Sequence, residues 1–181
     1  MKIKYIYAAV VAAIVLLVVC MFIGVNNRAV SLEEQINTAQ SNIQVQEKRR
    51  VDLISNLVDC VKSYDSYEAK TLDKIVSDRN TMTDDQVKTV TNKLNIVAES
   101  YPELKASDNY QNLMNELSLT ENGIADYRNA YNRDIRSYNK FVRKFPNKQI
   151  LSMSGYERVE YNYLKFDVSD NAPSDLFSSG E

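Results

Sequence analysis

Apolar residues are spaced along this chain in two distinct ways. From Tyr5 to Val25 they run without a single charge. At about 1.5 Å of rise per helical residue, that stretch spans roughly 30 Å, the thickness of one bilayer core. From Leu32 onward the apolar positions thin to a stripe. Leu32, Ile36, Ala39 and Ile43, then Leu53, Ile54, Leu57, Val61 and Tyr64, fall on one helical face. Ser31-Leu32-Glu33-Glu34 fits a capping box, yet the same residues can equally continue the preceding helix, so a continuous helix or a soft kink is expected. Gln46 and Arg50 occupy stripe positions where apolar residues belong, within the run Gln46-Glu47-Lys48-Arg49-Arg50.

Three more helices follow. The second is predicted over Glu68 to Arg79, with Leu72, Ile75 and Val76 inward. Thr83-Asp84-Asp85-Gln86 is a capping box with acids placed to complement a helix dipole, and it opens a third helix bearing Val87, Val90, Leu94, Val97 and Tyr101. Pro102 stops that helix, and Pro102 to Ser107 reads as a loop. A fourth stripe runs Tyr110, Leu113, Leu117, Thr120, Ile124, Tyr127, Tyr131, Ile135, Tyr138, Val142 and Phe145, ending at Pro146.

The fold expected is all-α: an N-terminal transmembrane helix over 5–25, then an antiparallel four-helix bundle over 29–146 with two long and two short helices. Residues 1–4 form a short flank, 147–167 an apolar segment packing on the bundle, and 168–181 a tail whose Ser, Asp, Asn, Pro and Gly content predicts disorder. The first and fourth helices of the domain are each about 37 residues, or roughly 55 Å, against about 20–25 Å for the other two. Four helices can therefore pack together only at the end far from the membrane. The near half would expose Leu32, Ile36, Ile135 and Phe141 unless the apolar C-terminal segment or a second copy covers them, so a homo-oligomer is one candidate arrangement.

Composition narrows the function more than it identifies it. A net charge of −2, with no stretch where aromatics alternate with Lys or Arg, gives nucleic-acid binding little support. Only three Pro and four Gly occur, which agrees with long helices. The chain has no histidine, so His-based acid–base catalysis, His-activated nucleophiles and most zinc or haem arrangements are ruled out. Cys20 lies in the apolar segment and Cys60 on a helix stripe, so no intramolecular disulfide is expected and Cys60 reads as a small buried residue.

The apolar segment is longer than a signal-peptide core and is followed by no Ala-x-Ala site, so a retained membrane helix is expected. Leu17-Val18-Val19-Cys20 has the outline of a lipobox, but Val19 stands where a small residue is required. Lys2, Lys4 and the α-amine precede the segment, while Arg28, Glu33 and Glu34 follow it. By flank charge alone the N-terminus is cytoplasmic and the domain outside. The bilayer is the one partner that these residues name, and localisation to a cell membrane follows.

Lys48, Arg49 and Arg50 could form a structural ion-pair layer or a partner site. An antiparallel fourth helix brings Glu121 and Asp126 to about their level, which favours the structural reading. Tyr127, Tyr131 and Tyr138 have the spacing of core and rim residues rather than of a ligand-stacking platform. Asp84 and Asp85 are explained by capping, and Asp167, Asp170 and Asp175 lack calcium-loop spacing. No catalytic, cofactor or metal site is expected, and the chain reads as a non-enzymatic scaffold with unidentified protein partners, or else as a self-assembling membrane organiser.

Ile43-Gln44-Val45-Gln46-Glu47-Lys48-Arg49-Arg50-Val51-Asp52-Leu53-Ile54-Ser55-Asn56-Leu57-Val58 resembles the signature of the LemA family. Tyr101-Pro102-Glu103-Leu104-Lys105-Ala106, Thr120-Glu121-Asn122, Tyr131-Asn132, Tyr138-Asn139 and Phe145-Pro146 follow in the family's order, extending the resemblance over about 29–166. The chain departs from the pattern at Gln40, where the family usually has tryptophan, and at Gln44, where it usually has an acid. The resemblance implies a bacterial membrane-anchored helical bundle without established catalysis, one branch being linked to magnetosome membranes. It also implies a short N-terminus outside and a cytoplasmic domain, opposite to the flank charge count.

Overall fold

A computed structural model describes residues 2–64, 66–76 and 82–164. Every regular element among them is a helix: α1 Lys2–Lys62, α2 Ser66–Val76, α3 Asp84–Ser100, α4 Pro102–Lys105, α5 Asp108–Arg143 and α6 Asn147–Met153.

α1 is unbroken for 61 residues, about 90 Å of rise. It contains no Pro, and its one Gly is Gly24. At Ser31 each backbone N–H already has a carbonyl four residues back, so continuing the helix sacrifices nothing that a new cap could restore. The N-terminal part of α1 is long and apolar enough to cross a membrane, and its side chains pack against nothing until Phe22 and Val25. From Ala29 on, one face is buried.

α5 lies along that face. Asn109 hydrogen-bonds Cys60, Arg128 pairs with Glu47, and Tyr138 bonds Glu33, so numbers rise on one helix as they fall on the other and the two run antiparallel. α2 packs on α1, and α3 on both α1 and α2. Two apolar clusters result. The distal one joins Ile54, Leu57, Val61, Leu72, Val90, Leu94 and Leu104, among others. The proximal one joins Leu32, Ile36, Ile43, Ile135, Tyr138 and Leu151.

The proximal cluster settles what covers the two-helix half. Ile36 and Ile135 are fully buried, Leu32 is buried and Phe141 half-buried. α6 and the segment after it lie over them, contributing Leu151, Tyr156 and Tyr161. Tyr138 is the anchor of that segment. Its hydroxyl accepts from Val159 N at 3.0 Å and lies 3.0 Å from the Tyr156 hydroxyl, which itself donates to Glu33. Tyr161 meets the Tyr138 ring edge-on at 5.5 Å. Further along, Asn132 and Leu164 exchange two hydrogen bonds of 2.8 and 2.9 Å. The chain itself therefore supplies the cover that a second copy was invoked to provide. Burial, aided by hydrogen bonding to the Glu33 carboxylate, raises the Tyr156 hydroxyl far above its ordinary pKa and keeps it a donor.

Two elements differ from the sequence expectation. Pro102–Ser107 is not simply a loop, because Pro102 begins α4, where its missing N–H costs nothing and Glu103 sits in the first turn. The fourth stripe stops short of Phe145, which lies beyond the end of α5 and is exposed, and the apolar segment after Pro146 begins as α6. The expectations for Ile75, for the second helix beyond Val76 and for disorder over 168–181 lie outside the described residues and side chains. The third helix opens on the expected box: Thr83 Oγ1 accepts from Gln86 N at 3.3 Å, and Gln86 Oε1 accepts from Thr83 N at 2.9 Å. Thr83→Ala is expected to lower stability by about 1 kcal/mol, measured by chemical denaturation of the full chain in nanodiscs.

Candidate functional site

The polar break in the α1 stripe separates the two apolar clusters. Between Ile43 and Val51 on α1, and over Thr120 to Arg128 on α5, the interior carries charge. Arg50 is only 2% exposed, and a buried guanidinium must be paired. Its Nη1 donates to Asp84 Oδ1 at 2.9 Å and to Glu121 Oε2 at 3.5 Å, and its Nη2 donates to the Met82 carbonyl at 3.2 Å. Arg128 completes the layer, donating to Asp84 Oδ2 at 2.9 Å and to Glu47 Oε1 at 3.0 Å.

Asp84 is thus the shared ligand of two arginines, tying the first turn of α3 to α1 and α5. The capping box fixes the backbone at that turn and so aims the carboxylate. Hydrogen bonds from Arg128, and then from Arg50, hold its pKa below the ordinary carboxylate value despite desolvation. Arg128 is correspondingly raised, chiefly by its hydrogen bond to Asp84. With both oxygens engaged, Asp84 serves as a structural anion and is poorly suited to act as a proton acceptor. A depressed folded-state pKa stabilises the fold above the unfolded pKa, and that stabilisation is lost as pH falls through the folded value. Acid titration of the melting temperature should therefore show wild type losing stability below the ordinary carboxylate range, and Asp84→Asn losing less over the same interval.

The sequence-selected residues divide cleanly. Arg50 and Glu121 meet. Arg49 pairs with Glu116 on the flank of α5. Lys48 and Asp126 are exposed and form no ion pair among the described residues. The helical wheel explains this: at about 100° per residue, Lys48 points away from Arg50, and Asp126 lies about 140° around α5 from Glu121. Arg128, one heptad beyond Glu121, shares its face and was the residue to extend to. In the sequence Asp84 reads only as a capping residue. Two atoms of the layer, Arg50 Nε and Glu121 Oε1, are buried without a hydrogen-bond partner.

Above this layer, between α3 and α5, lies an open groove of about 480 Å³. Val87, Leu117 and Ile124 give it an apolar floor, Thr91, Asn92, Ser118 and Asn122 polar walls, and Lys88 an exposed cation at the rim. Such a mixed surface is suited to non-covalent contact with a side chain or a short peptide. Among the described residues, no three metal-ligating side chains converge.

Fold and site together define an all-helical protein whose core is divided by a buried arginine layer and whose first helix continues into an apolar segment of bilayer length. The chain belongs to the LemA family, whose family model matches residues 39–175. That match begins about ten residues later than the motif resemblance and excludes the apolar segment. Protein LemA of Metamycoplasma hominis is 28% identical over 137 residues, 69% of this chain and 63% of the relative. Magnetosome protein MamQ of Magnetospirillum gryphiswaldense is 32% identical over 73 residues, 40% of this chain and 27% of that protein. The chain thus spans less than two thirds of the length of either relative.

Proposed function

We propose that the chain is a membrane-tethered, non-catalytic scaffold, held by residues 5–25 in a cell membrane as a single pass and presenting its helical domain to protein partners. The observation that carries this reading is the continuity of α1 from Lys2 to Lys62. A helix buried at one end in a packed core and fully apolar at the other transmits position and orientation from a bilayer to a domain. The family assignment and a relative named as a magnetosome protein are consistent with a role on a membrane. The two short helices and the distal halves of α1 and α5 form a four-helix bundle at the membrane-distal end. Its groove between α3 and α5 is the partner-facing surface.

A photo-crosslinking amino acid placed at Lys88 or Asn92, in cells, tests this. The expected result is discrete adducts at the groove positions that are absent at exposed Gln44 and that disappear when the apolar segment is deleted. Equal, diffuse labelling at all three positions contradicts a partner groove.

A further inference from the structure

The antiparallel register of α1 and α5 fixes what stands beside the top of the apolar segment. Extending it past Tyr138–Glu33 brings the end of α5 to the level of Asn27 and Arg28, and Arg28 does share a shallow groove with Lys140 and Lys144. The chain then turns at Pro146, and α6 packs against α1. Ser154 Oγ donates to Asn26 Oδ1 at 2.9 Å, so α6 is fastened one residue beyond Val25, where the apolar segment ends. The α5–α6 corner is thereby held at the level of a bilayer surface.

The chemistry of that corner is one-sided. From Ile135 to Tyr156 the sequence has five basic residues, Arg136, Lys140, Arg143, Lys144 and Lys148, and no acid. Lys140 and Arg143 can be ascribed to the α5 dipole, since they lie in its last turn. Lys144 caps the same helix end, whereas Arg28 and Lys148 have no such explanation. All five of Arg28, Lys140, Arg143, Lys144 and Lys148 are exposed, and among the described residues none is in an ion pair. Two large apolar side chains stand out beside them, Phe145 at 75% and Met153 at 77% exposure. Singly exposed apolar residues are ordinary. Phe145 precedes and Met153 ends the short helix that is fastened to the membrane end of α1, with cations on both sides of Phe145. Apolar side chains ringed by Lys and Arg form the pattern of a surface that lies in a lipid interface, the side chains entering the acyl boundary and the cations meeting phosphates.

We infer that the α5–α6 corner is a lipid-binding foot: Phe145 and Met153 enter the interface of the bilayer that α1 crosses, and Arg28, Lys144 and Lys148 bind anionic phospholipid headgroups. This rests on the reading of 5–25 as a membrane anchor and adds a second point of attachment. One helix leaves a domain free to tilt and swivel. Two attachments fix its pose, so the groove between α3 and α5 is held at a set angle to the bilayer.

The chain has no tryptophan, so single-tryptophan reporters need no background changes. Full-length Phe145→Trp is reconstituted into vesicles with brominated acyl chains, either of phosphatidylcholine alone or with phosphatidylglycerol added. Leu16→Trp reports the anchor and Leu119→Trp the exposed distal surface. The expected result is a blue shift and loss of emission at position 145 in the anionic vesicles, with position 119 unaffected. Adding Lys144→Glu and Lys148→Glu should restore emission at 145, as should high salt. Quenching at 16 with none at 145 overturns the foot and leaves the anchor standing. Absence of quenching at 16 overturns the anchor, and the foot with it. Equal quenching at 145 in both vesicle types overturns the anionic recognition.

Discussion

Tyr138→Ala should cost about 4 kcal/mol, the range for emptying a buried aromatic site, and should also release the C-terminal cover. Tyr138 is among the largest fully buried side chains. Its removal takes the ring from between Ile36, Ile135 and Tyr161, and with it the hydroxyl that accepts from Val159 N. Glu33 keeps the Tyr156 hydroxyl, so one link of the network survives. Tyr138→Phe separates the two contributions: it keeps the ring, strands the Val159 N–H and should cost about 1–2 kcal/mol. Chemical denaturation in nanodiscs gives the energies, and limited proteolysis beyond Met153 reads the release. Protection of that segment equal to wild type in Tyr138→Ala would show that the cover is held by something else.

The second large effect is an asymmetry within the arginine layer. Asp84→Asn leaves a buried Arg50 with Glu121 at 3.5 Å as its one close anion, beside two neutral acceptors, the Met82 carbonyl and the new amide oxygen. Breaking a buried pair costs about 3–5 kcal/mol. Asp84 is 46% exposed, so water can enter and the figure should be discounted to about 2–3 kcal/mol. Arg50→Met removes the buried charge instead. Asp84 keeps Arg128, Glu121 is 40% exposed and can take up water, and a thioether fills the space, so the cost should be about 1 kcal/mol. Methionine at 50 proving worse than asparagine at 84 would contradict the assignment of Arg50 as the charge that needs compensation.

What was legible in the sequence was periodic. The stripe from Leu32 to Val61, the stop at Pro102 and the box at Thr83 each act through neighbours within a turn or two, and each is present in the structure; Tyr64, expected in that stripe, lies beyond the end of α1 and is exposed. The polar break at Gln46 and Arg50 was legible as an anomaly because it violated a period. Its partners were only partly legible. Glu121 follows from antiparallel register alone, whereas Asp126 matches in level but not in helical face. Capping alone accounts for Asp84 in the sequence, because two roles on one carboxylate leave no separate trace there. α6 was hidden because seven residues after a proline are too few to display a period. Lys140, Arg143, Lys144 and Lys148 escape the membrane flank count, which includes Arg28, for another reason: they are over a hundred residues from Val25 along the chain and reach its level only through the fold.

All of this depends on α1 being one stiff rod through the junction at Asn26 to Glu34. Cys20 is already in the apolar segment, and Gln44 is exposed beyond the junction. With Cys60→Ser and Gln44→Cys, spin labels at 20 and 44 in nanodiscs report the distance by double electron–electron resonance. Twenty-four residues of unbroken helix give about 36 Å between the backbones, and a narrow distribution near that value is expected. A broad distribution, or one centred well below it, would show a hinge at the junction and contradict the single-helix tether.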